Sequence, residues 1–364
     1  MALKRPHWAS GQLITLRHTS KVLADNPLGD PFERQLTVWL PAEYHTRKRK
    51  RFPVLFDLVG YSGSGPSHTN WNSFAENVPE RLDRLMGEGR MGACIVVFPD
   101  CFTALGGNQY INSSAIGRYA DYLTRELVPK VDNEFRTLAS RDHRGCFGKS
   151  SGGYGAFVHG MRHADVWGAI ANHSGDAYFD FVYRSDWPNT LNELAKHRRS
   201  PRQAGRQNAA VKNSKLKPGI DDGRVRRFLE HIWKTEKLKS SELMALMNLA
   251  MAASYDPDPK APNGFRLPFD LESGELIERR WARWLLHDPI HMVSQHTKAL
   301  SSLKGIYIDC GWRDQFHIHY GTRQLSKQLS HHHINHHYEE FDDTHSGIDY
   351  RMDVSLPFLY RRLR

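Results

Sequence analysis

The sequence predicts an α/β fold in which strands and helices alternate around a mostly parallel sheet. Three observations predict it. Short apolar runs end in loops of small or polar residues, helical patterns follow several of these runs, and the composition of 40% hydrophobic and 25% charged residues is that of a globular protein. The 364 residues suffice for one large domain with an insertion or for two domains, and they exclude a fibrous or disordered chain.

The N-terminal part of the chain predicts strands. Residues 36–40 alternate between apolar and other positions and stop before Pro41, which is typical of a half-buried antiparallel strand. Residues 54–59 form an apolar run that enters the glycine-containing loop 60–65, as expected for a strand covered on both faces. We therefore expect an antiparallel N-terminal edge on the sheet.

Later segments repeat the order of strand, helix and strand. Residues 93–98 form an apolar run, and Tyr119, Leu123, Leu127 and Val131 then recur at every fourth position, as on one face of a helix. This order is typical of a parallel sheet. The further predicted elements are a strand at 145–147, a helix at 151–161 and strands at 167–171, 306–309 and 337–341.

Residues 177–291 interrupt this order and are predicted to form a largely helical insertion, or lid, with helical patterns at 225–233, 240–254 and 276–286. Residues 1–176 and 292–364 are expected to form the catalytic core. The basic segment, residues 196–227, contains eleven Lys or Arg residues and two Asp residues and so carries most of the net charge of +10. A solvated segment is its simpler interpretation, and binding of a polyanion or an acidic substrate is the other.

Composition also indicates the compartment. No apolar run approaches the roughly 18 residues of a membrane span, and residues 1–10 carry basic side chains where a signal peptide would be apolar. Four cysteines at irregular spacing do not suggest a disulfide framework or a CxxC metal site. A cytoplasmic protein with no membrane partner is expected.

Residues 148–152 contain Gly-x-Ser-x-Gly between a predicted strand and a predicted helix. That position is the one required of a nucleophile elbow, a turn sharp enough to hold its serine in a strained backbone conformation. Glycines two positions before and after Ser150 let the strand and the helix approach without side-chain collisions. Ser150 is therefore the candidate nucleophile.

A serine nucleophile needs a base and a third group that orients the base. An acid and a histidine follow in that order, Asp314 in the loop after the strand 306–309 and His345 in the loop after the strand 337–341. Asp309 is the alternative acid, although its position directly after an apolar strand also suits a buried structural carboxylate.

A tetrahedral intermediate also needs backbone N–H donors, one from the residue after the nucleophile and one from the loop after an earlier strand. Ser151 and Tyr61 occupy these two positions. The sequence therefore predicts an oxyanion hole made by their backbone amides. A plain glycine-rich connection is the other interpretation of the turn at Tyr61.

With these residues in place, the chain resembles the "Putative esterase" family of α/β-hydrolases, which includes esterase D (S-formylglutathione hydrolase), enterochelin esterases, feruloyl esterases and mycolyltransferases. The matching segments are ERQLTVWLP (33–41), FPVLFDLVG (52–60), VFPD (97–100), YLTRELVP (122–129), GKSSGGYGA (148–156), NHSG (172–175) and the Asp314 and His345 loops. The resemblance implies the α/β-hydrolase fold and esterase chemistry. The sequence departs from frequent family residues at Val59, Lys149, Ser151 and Thr344.

A histidine-rich segment offers a competing site. Imidazoles could bind Zn²⁺ or Ni²⁺, but no HExxH spacing accompanies them, and adjacent side chains on a strand point to opposite faces. We therefore predict no required metal and no cofactor. The residues concerned are His331, His332, His333, His336 and His337, with His317 and His319 upstream.

Together these features predict a serine carboxylic-ester hydrolase that acts on a small-molecule ester through an acyl-enzyme intermediate. An acyltransferase with the same three side chains is one alternative. A non-catalytic module that binds polyanions through the basic segment is another alternative. It does not explain why Ser150, Asp314 and His345 are all present. The sequence does not favour a nucleic-acid partner and leaves a homodimer open.

Overall fold

The structure, a computed structural model, describes residues 8–198 and 221–364. Within these residues the strands are β1 (Gln12–Thr19), β2 (Glu33–Leu40), β3 (Val54–Leu58), β4 (Ile95–Pro99), β5 (Asn112–Ser113), β6 (Gly117–Arg118), β7 (Arg144–Lys149), β8 (Ala169–His173), β9 (Gly305–Gly311) and β10 (His337–Phe341). Eight of them form one central sheet in the order β1-β2-β4-β3-β7-β8-β9-β10, and β5 pairs with β6.

The central sheet has an antiparallel edge, as predicted. β1 pairs with β2 and β2 with β4 in antiparallel register, and every other neighbouring pair is parallel. β1 was not predicted, because its side chains are mostly exposed or half-buried and carry little apolar pattern. The predicted strand at 167–171 begins two residues later, at Ala169, because Trp167 instead packs beneath a helix.

The α-helices are α1 (Glu43–Thr46), α2 (Val78–Gly87), α3 (Tyr119–Asp121), α4 (Val128–Glu134), α5 (Ser151–Arg162), α6 (Phe179–Val182), α7 (Trp187–Ala195), α8 (Arg224–Ile232), α9 (Ser240–Tyr255), α10 (Glu278–Leu285), α11 (Pro289–Met292), α12 (Thr297–Ser301), α13 (Ile318–His331) and α14 (Met352–Leu363). A π-helix, Tyr122–Leu127, joins α3 to α4, and the face predicted from Tyr119 to Val131 is buried. The 3₁₀-helices are Gly65–Thr69, Arg141–His143, Arg184–Asp186, Val293–Gln295 and Ile348–Arg351.

Both faces of the sheet are covered. Alternate residues of β3 belong to different apolar clusters: Phe56 packs with α5 and the Tyr119 helix, and Leu55 packs with α2 and α14. This explains the continuous apolar run of β3, since each face meets a helical layer. Asp57, the polar exception in that run, is fully buried and pairs with His68, whose Nδ1 lies 2.7 Å from Asp57 Oδ2.

Residues 177–291 contribute no strand to the central sheet in the part that the structure describes, and they carry α6 to α10 and the start of α11. α7 and α9 are joined by a hydrogen bond of 2.8 Å from Asn248 Nδ2 to Thr190 Oγ1. Asp288 ties the two ends of the segment together, because its carboxylate accepts the N–H groups of Tyr178 and Phe179 at 3.1 and 2.7 Å. Much of the basic segment, residues 199–220, lies outside the described residues.

All four cysteines are free and buried. Across residues 8–198 and 221–364, no helix combines the length and the apolar character needed to cross a membrane.

The central helix α5 contains a fully buried histidine, His159. Its Nδ1 accepts a hydrogen bond of 3.0 Å from Trp167 Nε1, so the ring proton belongs on Nε2, which donates to the Tyr110 carbonyl oxygen at 2.8 Å. Burial lowers the pKa of His159 to about 3. The folded protein therefore holds this side chain neutral.

We predict that acid lowers the free energy of unfolding of the wild type more than that of a His159→Gln variant, because only the wild type carries this buried histidine. The pKa is near 6.5 when the chain is unfolded and about 3 when it is folded, so the unfolded state takes up the proton first as the pH falls. Between pH 6 and 4, the free energy of unfolding of the wild type should drop relative to the variant by about 1.4 kcal/mol per pH unit. Urea titrations across this range measure it, and a constant difference would contradict the prediction.

Candidate active site

The turn between β7 and α5 places Ser150 in a strained conformation. Its backbone has φ of 57° and ψ of −126°, which non-glycine residues rarely adopt. A Cβ atom added at Gly148 or Gly152 would overlap the Leu58 carbonyl oxygen at the end of β3. The Ser150 N–H donates to the His173 carbonyl oxygen at 3.0 Å. The geometry of Ser150 is thus the one that the sequence pattern predicts for a nucleophile elbow.

His345 and Asp314 form a buried pair. His345 Nδ1 lies 2.7 Å from Asp314 Oδ2, and the other carboxylate oxygen accepts the Phe316 N–H at 2.8 Å. The Phe316 ring meets the imidazole edge-on at 4.8 Å, and the His345 N–H donates to Gln315 Oε1 at 2.9 Å. The carboxylate therefore fixes the proton on Nδ1 and leaves Nε2 as the acceptor.

Ser150, Asp314 and His345 lie at the same edge of the sheet. They follow β7, β9 and β10, three parallel strands, at their carboxyl ends. A side chain at Gly311 would overlap the Asp343 and Thr344 carbonyl groups, so the acid loop and the histidine loop pack directly together. The side chain of the half-buried Ser150 makes no hydrogen bond to any residue that the structure describes, which is common at active sites without substrate.

The two predicted oxyanion donors belong to the elbow itself and to the loop after β3. A Cβ atom at Gly60 would lie 3.4 Å from Ser150 Cβ, so the loop after β3 reaches the elbow, and Gly107 holds this loop by donating its N–H to the Tyr61 carbonyl oxygen at 2.7 Å. Ser151 is the first residue of α5. Neither the Tyr61 N–H nor the Ser151 N–H is used by another described group, so both amides are free to bind an oxyanion.

Asp309, the alternative acid, belongs to a different network. It is fully buried and accepts hydrogen bonds from Tyr307 OH at 2.9 Å and Arg351 Nε at 2.9 Å, and His173 Nδ1 lies 2.6 Å from it. The structure therefore pairs Asp314, and not Asp309, with His345. Asp309 has the surroundings of a structural carboxylate.

Sequence reasoning missed two polar residues at this edge. Gln109 Nε2 donates to Ser151 Oγ at 2.7 Å, and Asp176 accepts a hydrogen bond of 2.8 Å from Tyr183 OH. Burial raises the pKa of Asp176 to about 6. Asp176 directly follows the family segment 172–175 at the end of β8, and this position could have identified it from the sequence. Gln109 lies in a loop whose sequence shows no recognisable motif.

The histidine-rich segment is spread over the end of α13 and the start of β10. His337 stacks on Tyr307 with ring centroids 5.0 Å apart, and His336 Nε2 lies 2.8 Å from Ser326 Oγ. Within the described ranges, no three His, Cys, Asp or Glu side chains are grouped so that they could hold a metal ion.

Comparisons with known proteins agree with this architecture. A sequence model of the family described as "Putative esterase" matches residues 31–355. Similar solved structures include a ferulic acid esterase (TM-score 0.60, 19% identity, 98% of this chain and 99% of that chain covered). The S-formylglutathione hydrolase from Agrobacterium tumefaciens has a TM-score of 0.55 at 16% identity, with 100% and 99% covered. The fluorophosphonate-binding serine hydrolase F of Staphylococcus aureus has a TM-score of 0.54 at 15% identity, with 96% and 99% covered. The fold is that of the α/β-hydrolases.

We predict that the elbow tolerates a methyl group at Gly60 but not at Gly152. Alanine at 152 would overlap the Leu58 backbone, whereas alanine at 60 would meet the Lys149 carbonyl oxygen at 3.3 Å and Ser150 Cβ at 3.4 Å, which shifts of a few tenths of an ångström relieve. Gly152→Ala should lower the free energy of unfolding by about 3 kcal/mol or prevent folding. Thermal melts of both variants test this, and equal melting temperatures would contradict it.

Proposed function

The chain belongs to the "Putative esterase" family and is therefore an esterase, and we propose that it hydrolyses carboxylic esters of small molecules through an acyl-enzyme formed on Ser150. The observation that carries this proposal is the Asp314–His345 pair at the sheet edge where Ser150 is held in a strained turn beside two free backbone amides. Each group needed for acyl transfer is present there, and each has a separate role.

In the first half-reaction, Ser150 Oγ attacks the ester carbonyl carbon while its proton moves to His345 Nε2. Asp314 holds the Nδ1 proton and stabilises the imidazolium that forms. The Tyr61 and Ser151 amides donate to the negative oxygen of the tetrahedral intermediate. The carbon–oxygen bond to the alcohol then breaks, and His345 gives its proton to the departing alcohol.

In the second half-reaction, water replaces the alcohol. His345 Nε2 removes a proton from the water molecule as its oxygen attacks the acyl carbon, and the same two amides stabilise the second intermediate. Collapse breaks the bond to Ser150 Oγ, which takes back the proton from His345. The products are a carboxylic acid and the original enzyme.

We further propose that residues 177–291 cover the acyl-binding side of the site as a lid on the catalytic core, residues 1–176 and 292–364. Two contacts at the base of this segment support the proposal. Tyr183 donates to Asp176 beside the site, and the Asp288 carboxylate fixes the start of α6. Loops that follow the strands of an open α/β sheet form the rim of the ligand crevice, and this segment follows β8.

We predict that Ser150→Ala abolishes ester hydrolysis and that Ser151→Ala keeps most of it. Ser150 supplies the attacking oxygen, whereas Ser151 acts through its backbone amide and its side chain only accepts a hydrogen bond from Gln109. Rates with p-nitrophenyl esters, together with mass-spectrometric mapping of an organophosphonate label, provide the test. Labelling at Ser151, or full activity of the Ser150 variant, would disprove the assignment of the nucleophile.

We predict different effects of replacing Asp314, in the loop after β9, and Asp309, within β9. Asp314→Asn should lower kcat on the order of 10⁴-fold with folding intact, because the imidazole loses the group that fixes its tautomer. Asp309→Asn should instead lower the free energy of unfolding by about 3 kcal/mol, because it removes one carboxylate from the largely buried Arg351.

Urea titration and kcat measured on each folded variant separate the two effects. His345→Ala serves as the reference for a lost base and should be as severe as Ser150→Ala. A folded Asp309→Asn variant with the larger loss of kcat would show that the acid is assigned wrongly.

A further inference from the structure

A hydrogen bond joins the insertion, residues 177–291, to the loop that follows β4. Trp233, at the C-terminal end of α8, donates its indole N–H to the Ala104 carbonyl oxygen at 2.8 Å. The Trp233 side chain is 44% exposed, and the Arg226 guanidinium lies 5.2 Å from the centre of its ring. The indole therefore links this loop to a helix that is fixed within the insertion by four buried apolar side chains, Val225, Phe228, Leu229 and Ile232.

Residues 103–107, called the strap below, form a closed turn within this loop. Thr103 and Gly106 exchange backbone hydrogen bonds of 2.8 and 2.9 Å, and Thr103 Oγ1 also donates to the Gly106 carbonyl oxygen at 2.9 Å. The Ala104 N–H donates to Asp30 Oδ1 at 2.9 Å, so both backbone groups of Ala104 are bound from outside the strap. The strap is therefore a hydrogen-bonded unit whose position depends on these two outside contacts.

The strap holds Tyr61, the residue whose backbone N–H is one of the two proposed oxyanion donors. Gly107 donates its N–H to the Tyr61 carbonyl oxygen at 2.7 Å, and Tyr61 OH donates to the Leu105 carbonyl oxygen at 2.6 Å. A Cβ atom added at Gly106 would lie 2.8 Å from Tyr61 Cζ, and one added at Gly107 would overlap the Tyr61 carbonyl oxygen. The strap thus contacts both the side chain and the backbone of Tyr61, and a shift of the strap displaces both.

We propose that Trp233 is a positioning residue for the oxyanion hole, because its indole N–H fixes the strap and the strap fixes the backbone of Tyr61. The proposal rests on the esterase function proposed above. An oxyanion is stabilised by donors about 2.7–3.1 Å from its oxygen, so a small displacement of the Tyr61 N–H weakens the stabilisation. The insertion therefore acts on the transition state through this hydrogen bond, in addition to covering the site.

The test begins with Trp233→Phe in the full-length enzyme, which removes the N–H donor and keeps an aromatic ring. Loss of one such hydrogen bond shifts an equilibrium by about two- to tenfold, whereas loss of a whole oxyanion donor lowers kcat by about 10²- to 10³-fold. We therefore expect kcat for p-nitrophenyl hexanoate to fall by about three- to tenfold, with KM changed by less than about twofold. The loss appears in kcat because the carbonyl oxygen becomes negative only after the substrate is bound.

The second measurement is inhibition by 1,1,1-trifluoroheptan-2-one, which carries the same pentyl chain as the hexanoyl ester. Ser150 Oγ adds to the ketone carbon, the serine proton passes to His345, and the carbonyl oxygen becomes the negative oxygen of a hemiketal. The inhibition constant therefore reports on the oxyanion hole, and in Trp233→Phe it should rise by the same factor by which kcat/KM falls. A merely structural role would lower the melting temperature without these two matched changes.

Trp8→Phe is the matched control. Trp8 is a similarly exposed indole, at 38%, that packs against Gly87 and makes no hydrogen bond to a described residue. Gly87 ends α2, which leads to the amino end of β4, at the sheet edge opposite Ser150. This variant should keep the kcat, KM and inhibition constant of the wild type. Thermal melts of both variants establish that they are folded, as the partial exposure of both indoles leads us to expect.

Three results would overturn the proposal. They are an unchanged kcat in Trp233→Phe, a rise in KM alone, and a fall in kcat/KM without the matching rise in the inhibition constant. Failure of the esterase assignment has a different result. In that case the wild type would not hydrolyse p-nitrophenyl hexanoate, or Ser150→Ala would hydrolyse it equally well.

Discussion

The strained backbone at Ser150 is the constraint on which the site depends. A residue with φ of 57° keeps that conformation only where its surroundings leave no alternative. Here the end of β3 presses its Leu58 carbonyl group against Gly148 and Gly152, and the His173 carbonyl group binds the Ser150 N–H. The two strands that flank β7 therefore hold the turn from opposite sides, and the serine stands at the sheet edge where the acid and histidine loops also end.

Asp309 and Asp314, the carboxylates within and just after β9, have different hydrogen-bond partners because their surroundings differ. Asp309 holds the ring of His173, whose other nitrogen lies 2.8 Å from Ser355 Oγ, and the carbonyl group of the same histidine positions Ser150. Its network thus supports the backbone of Ser150, the proposed nucleophile, from within the core. Asp314, five residues later and beyond the strand, reaches His345 instead. The same type of side chain is bound within the core in one place and orients a histidine ring in the other.

Short sequence patterns predicted those parts of the fold that depend on a few neighbouring residues. Short apolar or β-prone runs located β3, β7, β9 and β10 to within one or two residues, and the glycine spacing located the strained turn at Ser150, because these signals lie within a few neighbouring residues. The choice between Asp309 and Asp314 depended on which loop residue faces His345, and that is set by packing between strands. Gln109 and Asp176 were missed because their loops meet the site only in the folded chain.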